Sequence, residues 1–227
     1  ADSAVKTCKE YNKITDVLKN FSSVKKFIEE GYYVLKSPLN TKELLGIAGK
    51  SLKDISSWYE EYTKTHLENT TDISSYNYAL YLGPQPNGKY LIALDFDYNN
   101  LKGKKGFDKD FMKNSRQLTN GQIDGLFKSS TRGNFGIICD ITLHTDLIKL
   151  IKDKGDSAKF ELKIPITKIP VIKGEEEEIT VVEVMNKAQY HIPPSTTKCK
   201  ITGKLRIRRY TDKKPILVMS DKKSNYY

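Results

Sequence analysis

The segment Tyr90-Leu91-Ile92-Ala93-Leu94-Asp95-Phe96-Asp97 is an apolar run that ends in two carboxylates two residues apart. On a β-strand, residues i and i+2 share a face, so the spacing predicts Asp95 and Asp97 side by side at a strand's end. Adjacent carboxylates repel each other, and burying them uncompensated costs several kcal/mol. A hard divalent cation removes that penalty, because Mg²⁺ takes oxygen ligands and completes its shell with waters and substrate phosphates. The competing reading is a solvated turn, since Asp is favoured at strand-to-loop junctions in any case.

At 227 residues the chain can bury a sizeable core, as one large domain or one and a half. Apolar residues at 38% beside 29% charged describe a globular protein. With no 18-residue apolar run and no signal-peptide pattern, neither a membrane span nor secretion is expected. Cys8, Cys139 and Cys199 are far apart and form no C-x-x-C pair, so neither a disulfide framework nor zinc is expected. A reducing, cytoplasmic location follows as the expectation. The formal charge of +10, from 38 Lys and Arg against 28 Asp and Glu, favours polyanionic partners through counterion release. A Lys-rich surface that only confers solubility would give the same total.

Along the chain, Ile14, Val17, Leu18, Phe21, Val24, Phe27 and Ile28 recur at helical steps, and Gly31 stops that helix. Tyr32 to Leu35 reads as a short strand, and Ser37-Pro38-Leu39-Asn40 as turn chemistry. Asp54 is the expected cap of a helix through Ile55, Trp58, Tyr59 and Tyr62. Strands are expected over Tyr76–Leu82, Tyr90–Asp97, Phe135–Leu143, Lys159–Ile164, Ile179–Met185, Gln189–Ile192 and Lys204–Tyr210, with a short helix at Leu147–Ile151. Gly83 to Gly88 reads as a hairpin connection, residues 98–120 as a long Lys-rich surface loop with a short helix, and Glu175 to Glu178 as a solvated turn. Strands interleaved with helices, many joined by short hairpins, indicate α+β rather than a doubly wound parallel sheet.

Two further elements carry chemistry. Ser129-Ser130-Thr131-Arg132-Gly133-Asn134-Phe135-Gly136 combines hydroxyls, a guanidinium and backbone N–H groups in one turn, which suits a phosphate cradle or is an ordinary glycine turn. Val181-Val182-Glu183-Val184-Met185 is an apolar strand with one acid, which either faces solvent or needs a cation. Gln189-Tyr190-His191-Ile192-Pro193-Pro194-Ser195 follows, and then Gly203.

In this order the elements resemble the archaeo-eukaryotic primase superfamily, specifically the bifunctional primase-polymerase (prim-pol) domain of plasmid, viral and phage replication proteins. The resemblance covers most of residues 14 to 210. It rests on Gly31-Tyr32-Tyr33-Val34, the Asp95-x-Asp97 strand, the Ser/Thr-x-x-Gly turn, the acid-bearing strand and the Tyr190-to-Ser195 element before Gly203. It implies a prim-pol fold with a mixed or antiparallel RRM-like catalytic sheet flanked by helices. The whole of 1–227 would be one catalytic domain, with an N-terminal α/β part over about 1–90 and the catalytic part over about 90–215. Such domains are often followed by a helicase, so the chain would be a piece excised from a longer replication protein.

The resemblance further implies that Asp95, Asp97 and Glu183 bind two Mg²⁺ or Mn²⁺ ions, which bridge a nucleoside triphosphate and the primer 3′-hydroxyl. Catalysis would be positioning plus electrostatics, with no protein nucleophile. Ser130, Arg132, Gly133 and Asn134 would hold triphosphate oxygens. DNA template and primer would lie on Lys204, Arg206 and Arg208, which alternate along one strand, and on a Lys cluster that includes Lys104 and Lys105. The chain departs from the pattern at one point. The family's phosphate-contacting His aligns with Gly136, or with Phe135 after a one-residue shift, and His144 lies eight residues beyond Gly136. His191 reads as structural. Either Arg132 replaces that His, or the chain is a catalytically weakened nucleic-acid-binding initiator domain on the same fold. A rolling-circle nicking enzyme fits poorly, because no His-x-His pair is present.

Overall fold

The computed structural model describes residues 21–68, 70, 72–96, 126–129, 135–155, 159–165, 178–198, 203, 205–210 and 214–220. Contacts divide the chain into two compact units. One comprises Ala1–Tyr81 with His191–Arg209, the other Leu82–Tyr190 with Tyr210–Tyr227. The first division thus falls at 81/82, and the segment after Tyr190 belongs to the first unit. Both units mix helices with strands, and the class is α+β.

In the first unit, helix α1 (described over 21–29) buries Phe21, Val24 and Phe27, the stripe expected from their spacing. Its end is a glycine-capped turn. Gly31, at φ 78°, donates its N–H to Ile28 O at 3.2 Å, and Tyr32 N–H reaches back to Phe27 O at 3.1 Å. The Tyr32 ring then meets the Phe27 ring edge-on at 5.5 Å, the apolar contact that accompanies this kind of cap.

Strand β1 (Val34–Pro38) pairs antiparallel with β2 (Tyr76–Tyr81), in register from Val34↔Leu80 to Pro38↔Tyr76. The strand therefore runs through Pro38, where turn chemistry was expected, and the left-handed residue comes later, at Asn40 with φ 67°. Helix α2 (Ile55–Tyr62) has Asp54 at its N-cap, but the Asp54 side chain makes no capping bond. Ser51 does that work one turn earlier, accepting Lys53 N–H at the head of a short 3₁₀ turn (Leu52–Asp54). Two phenols tie α2 to β1: Tyr59 Oη accepts Val34 N–H at 2.7 Å, and Tyr62 Oη accepts Lys36 N–H at 2.9 Å. Trp58 is half-buried and donates to Ser51 O at 2.9 Å, a packing role.

In the second unit, β3 (Gly83–Pro84) turns back onto β4 (Tyr90–Phe96) through a hairpin closed by Gln85 N–H to Lys89 O at 2.8 Å. β4 lies between β6 (Phe135–Leu143) and β8 (Glu178–Met185), antiparallel to both. Beyond β8 runs β7 (Lys159–Pro165). Two strands share the other edge of β6: β5 (Leu126–Ser129) is antiparallel along its start, and β12 (Leu217–Ser220) is parallel along its end. Helix α3 (Thr145–Asp153) covers one face of this sheet.

The core under α3 gathers Ile92, Ile137, Cys139, Ile141, Ile151 and Val184, with Leu94, Leu147, Ile148, Leu217 and Met219 packed against it. Each fully buried aliphatic of this size contributes about 1.5–3 kcal/mol. Period-two alternation then fixes the opposite face: with Ile92 and Leu94 toward α3, Leu91, Ala93 and Asp95 point the other way. His144 caps α3 by accepting Leu147 N–H at 3.3 Å, which gives it a local structural role. Among the described residues, no helix is long and apolar enough to cross a membrane.

Candidate metal centre

Pairing register places the two describable carboxylates together. Asp95 on β4 is the direct partner of Glu183 on β8. Directly opposed residues of an antiparallel pair share a face, with Cβ atoms about 5 Å apart. Val184, the neighbour of Glu183, is buried under α3, so Glu183 and Asp95 both lie on the face away from that helix. Both acids are half-buried. Like charges directly opposed on a sheet destabilise it, and that repulsion is what a bound cation would relieve.

On the other side of β4, Asp95 faces Gly136 of β6. The row across the sheet therefore reads Gly136, Asp95, Glu183, with no side chain at its first position. Beyond Glu183 the same row continues to position 161 of β7, which carries a glutamate.

The hydroxyl of Tyr190 donates to Asp95 Oδ1 at 2.9 Å. Tyr190 is buried, in strand β9 (Gln189–His191) just after β8. A neutral donor orients a carboxylate without competing with a cation for it, as Lys or Arg would. The donor set is all oxygen and suits a hard divalent ion such as Mg²⁺ or Mn²⁺. Among the described residues, no group of three or more His, Cys, Asp and Glu side chains is arranged to hold a metal ion. Asp97 lies outside the described residues, as do Ser130, Arg132, Gly133, Asn134, Lys104, Lys105 and Lys204, the 98–120 segment and Glu175 to Glu177. Arg206 is described in its backbone, in β11 (Leu205–Tyr210).

Arg208 has a definite role in the first unit. Its guanidinium donates to His191 O, and its N–H donates to Ser195 O at 3.0 Å. His191 Nε2 lies 2.9 Å from Ser37 Oγ, with both residues buried. Burial, followed by the charges of Arg208 and Lys42, pushes the imidazole down to about 3, so His191 is neutral and structural. Sealed from solvent, the Ser37–His191 pair offers no substrate access.

The Pro-Pro-Ser element is structural as well. Ser195 Oγ donates to Tyr78 O at 3.0 Å and accepts Tyr78 N–H at 3.3 Å. Asn77 accepts Thr196 N–H at 2.9 Å and donates to Thr196 O at 2.6 Å, which splices β10 (Thr196–Lys198) onto the first unit. No local sequence pattern signals the bond from Tyr190 to Asp95. Position 161 could have been noticed from the alternation Lys159-Phe160-Glu161-Leu162-Lys163. No family model matches this chain, and no curated protein matches it.

Proposed function

We propose that the chain is a template-dependent nucleotidyltransferase, a DNA primase and polymerase of the prim-pol type, working through divalent ions held by Asp95, Asp97 and Glu183. The observation that carries this reading is the register pair Asp95↔Glu183, two acids from separate segments on one face of one sheet. A pair of Mg²⁺ or Mn²⁺ ions would supply charge stabilisation at the attacking and leaving oxygens of an in-line displacement. The residues themselves do two things. Asp95 and Glu183 present carboxylate oxygens from adjacent strands of one sheet, and Tyr190 holds Asp95 in orientation.

The same reading assigns triphosphate oxygens to Ser130, Arg132, Gly133 and Asn134, and the DNA backbone to Lys204, Arg206, Lys104 and Lys105. The net charge of +10 suits such a polyanion. Arg208, tied to His191 O, is better assigned to stability than to DNA. The prim-pol fold, an intracellular setting and a helicase partner in a longer protein belong to this proposal.

Primer extension tests it. Wild-type protein with Mn²⁺ should incorporate nucleotides, and Asp95→Ala/Asp97→Ala should not. Equal incorporation by the two, or none by wild type, ends the enzyme reading. The absence of a side chain at Gly136, where the family's His aligns, favours a second reading: a nucleic-acid-binding initiator domain with a weakened site. Salt-dependent DNA binding without Mn²⁺ binding would select it.

A further inference from the structure

We propose that Tyr190 is the positioning residue of this cation site, holding Asp95 by Oδ1 so that Oδ2 and the Glu183 carboxylate converge on one ion. The inference rests on the two-carboxylate reading above and deepens it. An Asp carboxylate turns easily about χ2, whose profile is broad and two-fold. The Tyr190 hydroxyl, 2.9 Å from Oδ1, opposes that rotation.

The phenol is itself well held. Its residue is 5% exposed and sits in β9, joined to β8 by the short 186–188 connection. That connection is pinned by Leu82 N–H to Ala188 O at 2.9 Å and by Tyr90 Oη to Asn186 Oδ1 at 3.0 Å. The acid and the group that orients it therefore come from two strands braced against each other. This is how outer-shell hydrogen bonds tune metal ligands, and their loss typically weakens metal binding by about tenfold or more.

Mn²⁺ binding to the full chain, followed by electron paramagnetic resonance, provides the test. Tyr190→Phe should weaken Mn²⁺ binding by about tenfold while the protein still melts cooperatively. Added to Asp95→Ala, the same change should weaken binding no further, because the phenol acts through Asp95. Wild-type affinity in Tyr190→Phe overturns the proposal, and so does an equal loss in the Asp95→Ala background. If wild type binds no Mn²⁺, the two-carboxylate reading fails first and takes this role with it. Should Tyr190→Phe not fold, 4-aminophenylalanine at position 190, a ring with a weaker donor, carries the test. A measurable loss of affinity is then expected, and wild-type affinity overturns the proposal.

Discussion

In the first unit, Ser195, Asn77, Tyr59 and Tyr62 all commit their polar atoms to backbone groups. In the second, Asp95 meets another side chain, Tyr190, and stands across from Glu183. The bonds of the first unit close the accounts of buried N–H and C=O groups that would otherwise destabilise the fold. The arrangement in the second does the reverse. It sets two acids from separate strands directly opposite each other. The polar contacts of the first unit are thus architectural, and the opposed acids of the second are the pair on which the proposed chemistry rests.

The sharpest way to break this contrast is Glu183→Gln. It should lower nucleotide incorporation by at least about a hundredfold, the scale of losing one preorganised electrostatic group. Urea unfolding should stay cooperative with a midpoint near that of wild type, because the amide keeps the shape of the side chain. A large loss of stability would make Glu183 architectural.

His191 provides the opposite case. The unfolded chain takes up a proton there below about pH 6.5, whereas the folded protein resists it down to about 3. The unfolded state binds more protons between those values, so stability falls as pH drops from neutrality toward 3. The limiting slope is about 1.4 kcal/mol per unit. Comparing urea midpoints of wild type and His191→Gln from pH 7 to pH 4 isolates this group, and the mutant should show the shallower pH dependence. Parallel curves would mean that His191 titrates normally.

A smaller effect is expected for Ser195→Ala, which leaves both backbone groups of Tyr78 without the hydroxyl they share. It should cost about 2 kcal/mol in denaturant unfolding, with activity per folded molecule unchanged. Gly31→Ala should cost about 1 kcal/mol by thermal melting, the penalty for a Cβ in the left-handed region. Activity lost beyond the unfolded fraction in either variant would blur the line between the units.

Much of the second unit was legible because its strands are short apolar runs bounded by turn residues. Phe135–Leu143 has its expected bounds, the strand from Tyr90 is described to Phe96, and Val184 and Glu183 fall on opposite faces as period two requires. Which strand opposes which is a different kind of fact. The register Asp95↔Glu183 joins residues 88 positions apart, and no local pattern encodes it. β5, β10 and β12 were missed because they are short and take their identity from their partners. Asp54 stands at the expected N-cap position, but residue type alone does not show that its side chain makes no capping bond there. The alternation of Arg208 with Lys204 and Arg206 does not reveal the carbonyl that its guanidinium meets.

Glu183 and Val184 are consecutive, one facing outward and the other packed beneath α3. Sliding this strand by one step would therefore bring a valine into water and an acid into oil at the same moment. Misassembly of the acidic pair is thus coupled to a penalty in the core, and a molecule that folds at all arrives with its two acids aligned. The greasy side of the strand acts as proofreader for the charged one.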